Sequence, residues 1–496
     1  MRVTTMDRYE PAPGRIVEFV PSAATLAAAD GAPVSPVPPS FNQRFHLATE
    51  RPPGAPGHWL ACAFDLPGPL DAEALRAAFE AWGKRHGTLR SGFRAGPSGT
   101  SGTSGASGPS GGPERFMVAS ADYALVARDA GSCPSTDATR AWLTRRLGEA
   151  CRPLGWPSYV FAAIERNSER PGERQNEGQD SETFTVLCGF DHSNADAYSL
   201  AIAVHELREL YAGTAASLPP VGSFVDHCAR EGTSGGEVDG ELLRGWAEFF
   251  AACGGTTPSF PLPLGLPAGQ RAAQGTASRR LLGPDGADAF ERACRTAGGS
   301  AFTGVLTAVA LAARGLGSDS TLRLCTPLHT RYEERWTHAI GWFTTIAPLT
   351  VDVSDVPGVI EGIRATRTAF RRARELATLP VARVLPALPA LGAAFRRDRD
   401  DVFMVSYVDY RRLPGAEHHT GSNAHHISGV TATDDAQFWF SRTHEGLFLR
   451  SRYPATPTAE RTLRAFTAAV AVHLATPAWP EGRAARRGER REASRQ

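Results

Sequence analysis

The segment Asp191-His192-Ser193-Asn194-Ala195-Asp196-Ala197 sets an imidazole four residues ahead of a carboxylate. A neutral imidazole can take a proton from an incoming hydroxyl or amine as that group attacks, which is general-base catalysis. A carboxylate at this spacing can cap a following helix or accept a bond from an arginine, and either would fix the turn. The same residues also fit a turn histidine that merely caps the next helix. The chain has 14 histidines, so the pair alone is a hypothesis that its context must decide.

The context is two regular elements. Thr183 to Phe190 is rich in β-branched and aromatic residues and predicts a strand. Tyr198 to Tyr211 predicts a helix, with Leu200, Val204, Leu207 and Leu210 along one stripe. A residue in the turn between them is held by rigid structure on both sides.

Other constellations are weaker. Gly108-Pro-Ser110-Gly-Gly112 and Gly232-Thr-Ser234-Gly-Gly236 fit the GxSxG pattern, but neither joins an apolar strand to a helix as a nucleophile elbow requires. His418, His419, His425 and His426 cluster in a Gly/Ser/Asn-rich stretch with no cysteine and no HExxH helix, and are expected in a solvated loop. His205 is expected on the surface. No glycine-rich phosphate loop opens a helix after a strand, so nucleotide binding is disfavoured. The eight cysteines are spread singly, with no CxxC pair, and no metal site is expected.

With 53 basic against 52 acidic residues, the chain has no global field for nucleic acid or anionic lipid. Lys84 is the only lysine, which reads as genomic base composition. No transmembrane segment or signal peptide is expected, since the longest apolar run, Val305 to Ala313, is far too short to span a bilayer. The expected location is the cytoplasm.

Residues 1–40 are proline-rich and are expected to form an extended arm. Predicted elements then follow: a strand over Trp59–Leu66, a helix over Asp71–His86, and a strand over Thr88–Arg94. Ala95 to Pro113 is almost wholly Gly, Ser, Thr and Pro and predicts a disordered loop. Arg166 to Glu182 predicts a second polar insertion. Further on, Val356 to Leu379 contains an arginine-rich amphipathic helix, strands fall at 403–410 and 436–453, and Ala459 to Leu474 is a closing helix. The alternation predicts two α/β lobes, residues 1–220 and 221–480, with a disordered basic tail over 481–496.

Phe190 to Ser199 resembles the HHxxxDGxS signature of the condensation-domain superfamily, which includes the chloramphenicol-acetyltransferase-like enzymes. Other blocks are similar and in the right order. Ser40 to Leu47 resembles the opening block, and Arg85 to Phe93 the RHxxLRxxF segment. His329-Thr-Arg331 with Ile340 to Thr345 resembles the arginine and GxF block, and Phe403 to Asp409 a strand near the tunnel. The branch resembled most is the polyketide-associated (Pap) acyltransferases that acylate trehalose glycolipids. Trp246 to Phe249, Phe260 to Gly265, Tyr9 to Gly14 and Ala32 to Ser40 carry that likeness, and the resemblance covers roughly residues 9–475. Two positions depart: Asp191 stands for the first histidine and Ala197 for the glycine.

The resemblance implies a two-lobed α/β chloramphenicol-acetyltransferase-like fold, a V-shaped pseudo-dimer with a central tunnel. It implies a stand-alone acyltransferase with His192 as base, Asp196 in structural support and Arg331 as its partner. Asp191, Ser199, Gly341, Trp342, Ser406 and Tyr407 would line the tunnel. No cofactor would be tightly bound. Acyl-CoA or a phosphopantetheinyl acyl or peptidyl carrier protein would be the co-substrate and a small molecule the acceptor. A free-standing peptide-synthetase-type condensation enzyme, forming an amide or ester, and a catalytically degenerate carrier-protein-docking module are the alternatives.

Overall fold

In the computed structural model the candidate turn ends the strand Thr183–Asp191, which lies at the centre of a seven-stranded mixed sheet. The structure describes residues 1–48, 57–96, 112–166, 183–233, 236, 238–267 and 269–475. Most of the two predicted insertions, the Gly108–Gly112 motif apart from Gly112, Ser234 and the basic tail lie outside these residues.

The described chain forms two units. The first comprises Met1–Glu237, Leu328–Thr345 and Tyr410–Thr431, and the second Val238–Pro327, Ile346–Asp409 and Ala432–Gln496. Two later segments thus return to the first unit, a connectivity that one boundary near residue 220 does not describe.

The order across the first unit's sheet is Arg2–Thr5, His425–Ser428, Trp59–Pro67, Thr183–Asp191, Tyr159–Arg166, Gly14–Pro21, Leu125–Cys133. Thr183–Asp191 pairs antiparallel with both neighbours, setting Trp59 opposite Asp191 and Tyr159 opposite Phe190. Phe184, Val186, Leu187, Cys188 and Phe190 are all buried, so both faces of this strand are covered. Gly189 has a packing reason. A Cβ there would meet the Leu147 side chain at 2.0 Å, so glycine admits the helix Thr136–Ala150 against the sheet.

The N-terminal residues correct the expectation of an arm. Arg2–Thr5 and Gly14–Pro21 are sheet strands, and Ala23–Gly31 is a helix capped by Ser22. Ile16, Val17 and Phe19 are buried, and prolines at 11, 13 and 21 bracket the strand without interrupting it. The histidine-rich stretch is corrected too. His425–Ser428 runs parallel to Arg2–Thr5 and antiparallel to Trp59–Pro67, and His419 and His426 are buried.

The second unit's sheet runs Thr344–Asp352, Thr321–His329, Met404–Asp409, Gln437–Thr443, Gly446–Pro454, Ala272–Leu282, Ala432–Thr433. The arginine-rich helix is Val359–Leu376 and the last is Pro457–Ala475. No single helix among the described residues is long and apolar enough to cross a membrane.

Candidate active site

Asp196 has extended backbone and accepts a bond from Ser199 N at 2.8 Å, which starts the helix Ala197–Tyr211. Its carboxylate is buried and receives Arg331 Nη1 at 2.7 Å on one oxygen and Arg331 Nη2 at 2.9 Å on the other. Phe343 N donates at 3.1 Å, and the Ser199 hydroxyl at 2.8 Å. Burial alone pushes the Asp196 carboxyl up, but Arg331 and the Ser199 donors outweigh it and hold it below the usual carboxylate range.

Arg331 reaches this carboxylate from Leu328–Thr345, an excursion closed on itself by Thr330 N donating to Phe343 O at 2.9 Å. Its guanidinium lies between two aromatic faces, 4.6 Å from the Tyr198 ring centre and 4.4 Å from that of Phe343. The buried Ser199 hydroxyl links the two segments, accepting from Gly341 N at 3.1 Å and lying 2.9 Å from Gly341 O. Gly341 itself touches Phe224, where a Cβ would lie 2.3 Å from the ring.

His192 N donates to His58 O at 2.9 Å, so the residue that leads into the neighbouring strand Trp59–Pro67 holds the backbone of the imidazole-bearing residue. The Trp342 indole lies against the imidazole, with ring centres 4.4 Å apart and planes 33° apart. Burial lowers the His192 pKa and the nearby His46 lowers it further, against opposing pulls from its own backbone, Asp191 and Asp196. The ring is therefore the neutral base form at physiological pH. His192 Nδ1, Ser193 Oγ and Asn194 Oδ1, on three successive residues, are buried without a hydrogen-bond partner among the described residues.

Asp191 is 0% exposed. His46 Nε2 donates to its two oxygens at 2.9 and 3.2 Å, and Ser193 N donates at 2.9 Å. The His46 ring also meets Trp342 edge to face at 5.8 Å. His46 lies on the helix Phe41–Ala48, whose start is a capping box. Gln43 N donates to Ser40 Oγ at 3.2 Å, and Ser40 N to Gln43 Oε1 at 3.0 Å. Gln43 Nε2 then donates to Ser193 O at 2.8 Å. Reading the sequence for function misses His46 and Gln43. Ser40-x-x-Gln43 is a visible helix-start signal, whereas nothing local marks His46.

The turn, Ser199, Arg331, Gly341 and Trp342 thus come together in the first unit. Ser406 and Tyr407 belong to the second, on Met404–Asp409, opposite Trp439 and Phe440 of the next strand. Tyr407 stacks on Phe302 with centres 5.5 Å apart. His205 is half-buried with its Nδ1 enclosed, which corrects the surface expectation. It sits beneath Gly415, where an added Cβ would meet its Cβ at 2.9 Å. Among the described residues no group of three or more His, Cys, Asp or Glu is arranged to hold a metal ion.

Residues 178–389 match the condensation domain family model. The chain is similar to the 2'-acyl-2-O-sulfo-trehalose (hydroxy)phthioceranyltransferase PapA1 of Mycobacterium tuberculosis, 28% identical over 421 residues covering 82% of this chain and 75% of the other. It is 27% identical to the trehalose-2-sulfate acyltransferase PapA2 of Mycobacterium bovis, covering 94% of this chain and 95% of that one. The solved PapA2 acyl transferase superposes with a TM-score of 0.80 at 26% identity, over 96% of this chain and 99% of that one. The first condensation domain of the calcium-dependent antibiotic synthetase shares the fold, with a TM-score of 0.61 at 17% identity over 90% of this chain and 97% of that one. By family match, relatives and fold alike, the chain is an acyltransferase with a condensation-domain fold, similar to the Pap acyltransferases.

Proposed function

We propose that the protein moves an acyl group from a coenzyme A or carrier-protein thioester to a hydroxyl of a sugar acceptor in glycolipid biosynthesis, with His192 as general base. The observation that carries this reading is the turn at His192, where three successive residues hold buried polar atoms without a partner among the described residues, and burial there favours the neutral imidazole. Buried polar atoms without a partner are uncommon in a folded protein, and three in succession mark a place where another molecule's groups can complete the hydrogen bonding. The named relatives that act on sulfated trehalose support the sugar class.

The imidazole takes the hydroxyl proton as the oxygen attacks the thioester carbonyl. The tetrahedral intermediate expels the thiolate, the C–S bond breaks, and the imidazolium returns the proton to sulfur. No acyl-enzyme is needed. The base is worth about 10² to 10⁴-fold, and alignment of two substrates supplies much of the rest. Asp196 and Arg331 point their charges at each other and act on the turn that carries the base.

The test incubates the protein with acyl-coenzyme A and acyl-carrier-protein donors and with trehalose or sulfated trehalose, following ester formation by mass. Transfer by the wild type and its loss in His192→Ala is the expected outcome. Equal transfer by both proteins rejects the base assignment, and product with an added amine acceptor but with neither sugar rejects the sugar acceptor.

A further inference from the structure

We propose that His46 is a positioning residue for the base: with Asp191 it forms a buried hydrogen-bonded pair that fixes the turn at His192 and the indole covering it. This deepens the acyltransferase reading and rests on it.

A carboxylate with no exposure must be paired or neutralised, because an isolated buried charge is costly. Asp191 has two such partners, His46 Nε2 on both oxygens and Ser193 N. The bond from Ser193 N closes the backbone around His192 from one side, and His58 O receives His192 N from the other. His46 therefore acts on His192 through the turn. It also acts through Trp342, which touches both rings, at 5.8 Å from His46 and 4.4 Å from His192. The helix is placed for this independently of the pair. Gln43, one turn before His46, bonds Ser193 O and is itself held by Arg115 Nη2 at 2.7 Å.

The charged and titratable groups facing this arrangement come from several elements. His46 faces Asp191 and, with ring centres 6.3 Å apart, His58 at the start of the neighbouring strand. His192 interacts with His46, Asp191 and Asp196. The buried thiol of Cys151, at the end of Thr136–Ala150, is pushed up by burial and by Asp191. Within this set His46 and Asp191 pull the base in opposite directions: His46 lowers its pKa and Asp191 raises it.

The test measures kcat, KM and the pH profile of kcat/KM for His46→Gln, Asp191→Asn and the exchange of the two residues. Displacing the base lowers kcat about ten- to a hundredfold with KM little changed in both single variants. The acid limb moves to higher pH in His46→Gln and to lower pH in Asp191→Asn, opposite shifts that lost packing alone does not give. The exchange restores part of the lost kcat. Wild-type kcat and pH profile in His46→Gln overturn the proposal, as do limb shifts in the same direction. Should a variant fail to fold, the wild-type protein still decides through its imidazole ¹H–¹⁵N signals. A slowly exchanging His46 Nε2–H signal, moved downfield by its bond to Asp191, supports the pair, and the absence of such a signal overturns it. His192→Ala separates the two levels: full transfer in that variant rejects the base reading, whereas its loss beside normal His46 variants rejects only the positioning role.

Discussion

Arg331 meets Asp196 with two nitrogens on two oxygens, at 2.7 and 2.9 Å, across 135 residues of sequence. A fork-to-fork bond of this kind fixes the distance and the mutual plane of the two groups. Asp196 also starts a helix and receives Phe343 N, so one carboxylate ties the turn, the helix and the Leu328–Thr345 excursion together.

Arg331→Ala should therefore destabilise the protein by about 3–5 kcal/mol, since it leaves a buried carboxylate without its countercharge. Arg331→Lys keeps the charge but loses the fork and should cost less. Denaturant midpoints at neutral pH measure both, and a change in Arg331→Ala below about 1 kcal/mol, the scale of a surface pair, contradicts the account. The pH dependence has a definite sign. The folded state depresses the Asp196 pKa, so its contribution is present above the unfolded-state value and is lost as pH falls through the lower folded value.

Gly341→Ala should cost about 1–3 kcal/mol by overpacking, because the new methyl would lie 2.3–2.7 Å from Phe224. Gly341 N also donates to the Ser199 hydroxyl, so transfer activity should fall with stability. Adding Phe224→Leu should return part of both losses by making room. If the double variant is no better than Gly341→Ala alone in thermal melts and transfer assays, the clash is not the cause.

The strand, turn and helix around His192 are legible in the sequence because each rests on local periodicity. The β-branched and aromatic run of Thr183 to Phe190 and the stripe from Leu200 to Leu210 are visible within windows of a dozen residues. The Asp196 cap is local too. Pairings over long separations are not legible from pattern: His46 meets Asp191 145 residues away, and His425–Ser428 pairs with Arg2–Thr5 from the opposite end of the chain. The first 40 residues mislead because proline signals irregular chain, yet these prolines flank strands. Arg331 is identified only through the resemblance, since by local pattern it is one arginine among many.

The acid limb of kcat/KM should lie below the ordinary histidine value of 6.5, because burial, then His46, lower the His192 pKa. The base loses its function only when protonated, so a lowered pKa extends activity toward acid. Initial rates across a pH series at low substrate concentration measure the limb. A midpoint above 6.5 shows that the carboxylates outweigh burial and contradicts this prediction.

Asp435 supplies a prediction in the second unit, apart from the chemistry. Its carboxyl is buried, and burial raises its pKa from 3.8 to about 7 although Ala436 N and Phe260 N donate to it at 2.7 and 3.0 Å. Arg399 pulls the value down and Asp434 pushes it up. In this case the folded state holds the proton more tightly than the unfolded chain. Between the two pKa values the folded protein binds more protons, so stability declines as pH rises from about 4 to about 7 and levels off above that. The full span is on the order of 4 kcal/mol. Asp435→Asn keeps an oxygen to accept from the two backbone amides and carries no charge at any pH. It should raise the unfolding midpoint under mildly alkaline conditions and leave it little changed near pH 4, where Asp435 is already neutral. Urea unfolding of both proteins across that range gives the difference directly. A difference that does not grow with pH means the Asp435 carboxyl ionises in the folded protein as readily as in the unfolded chain.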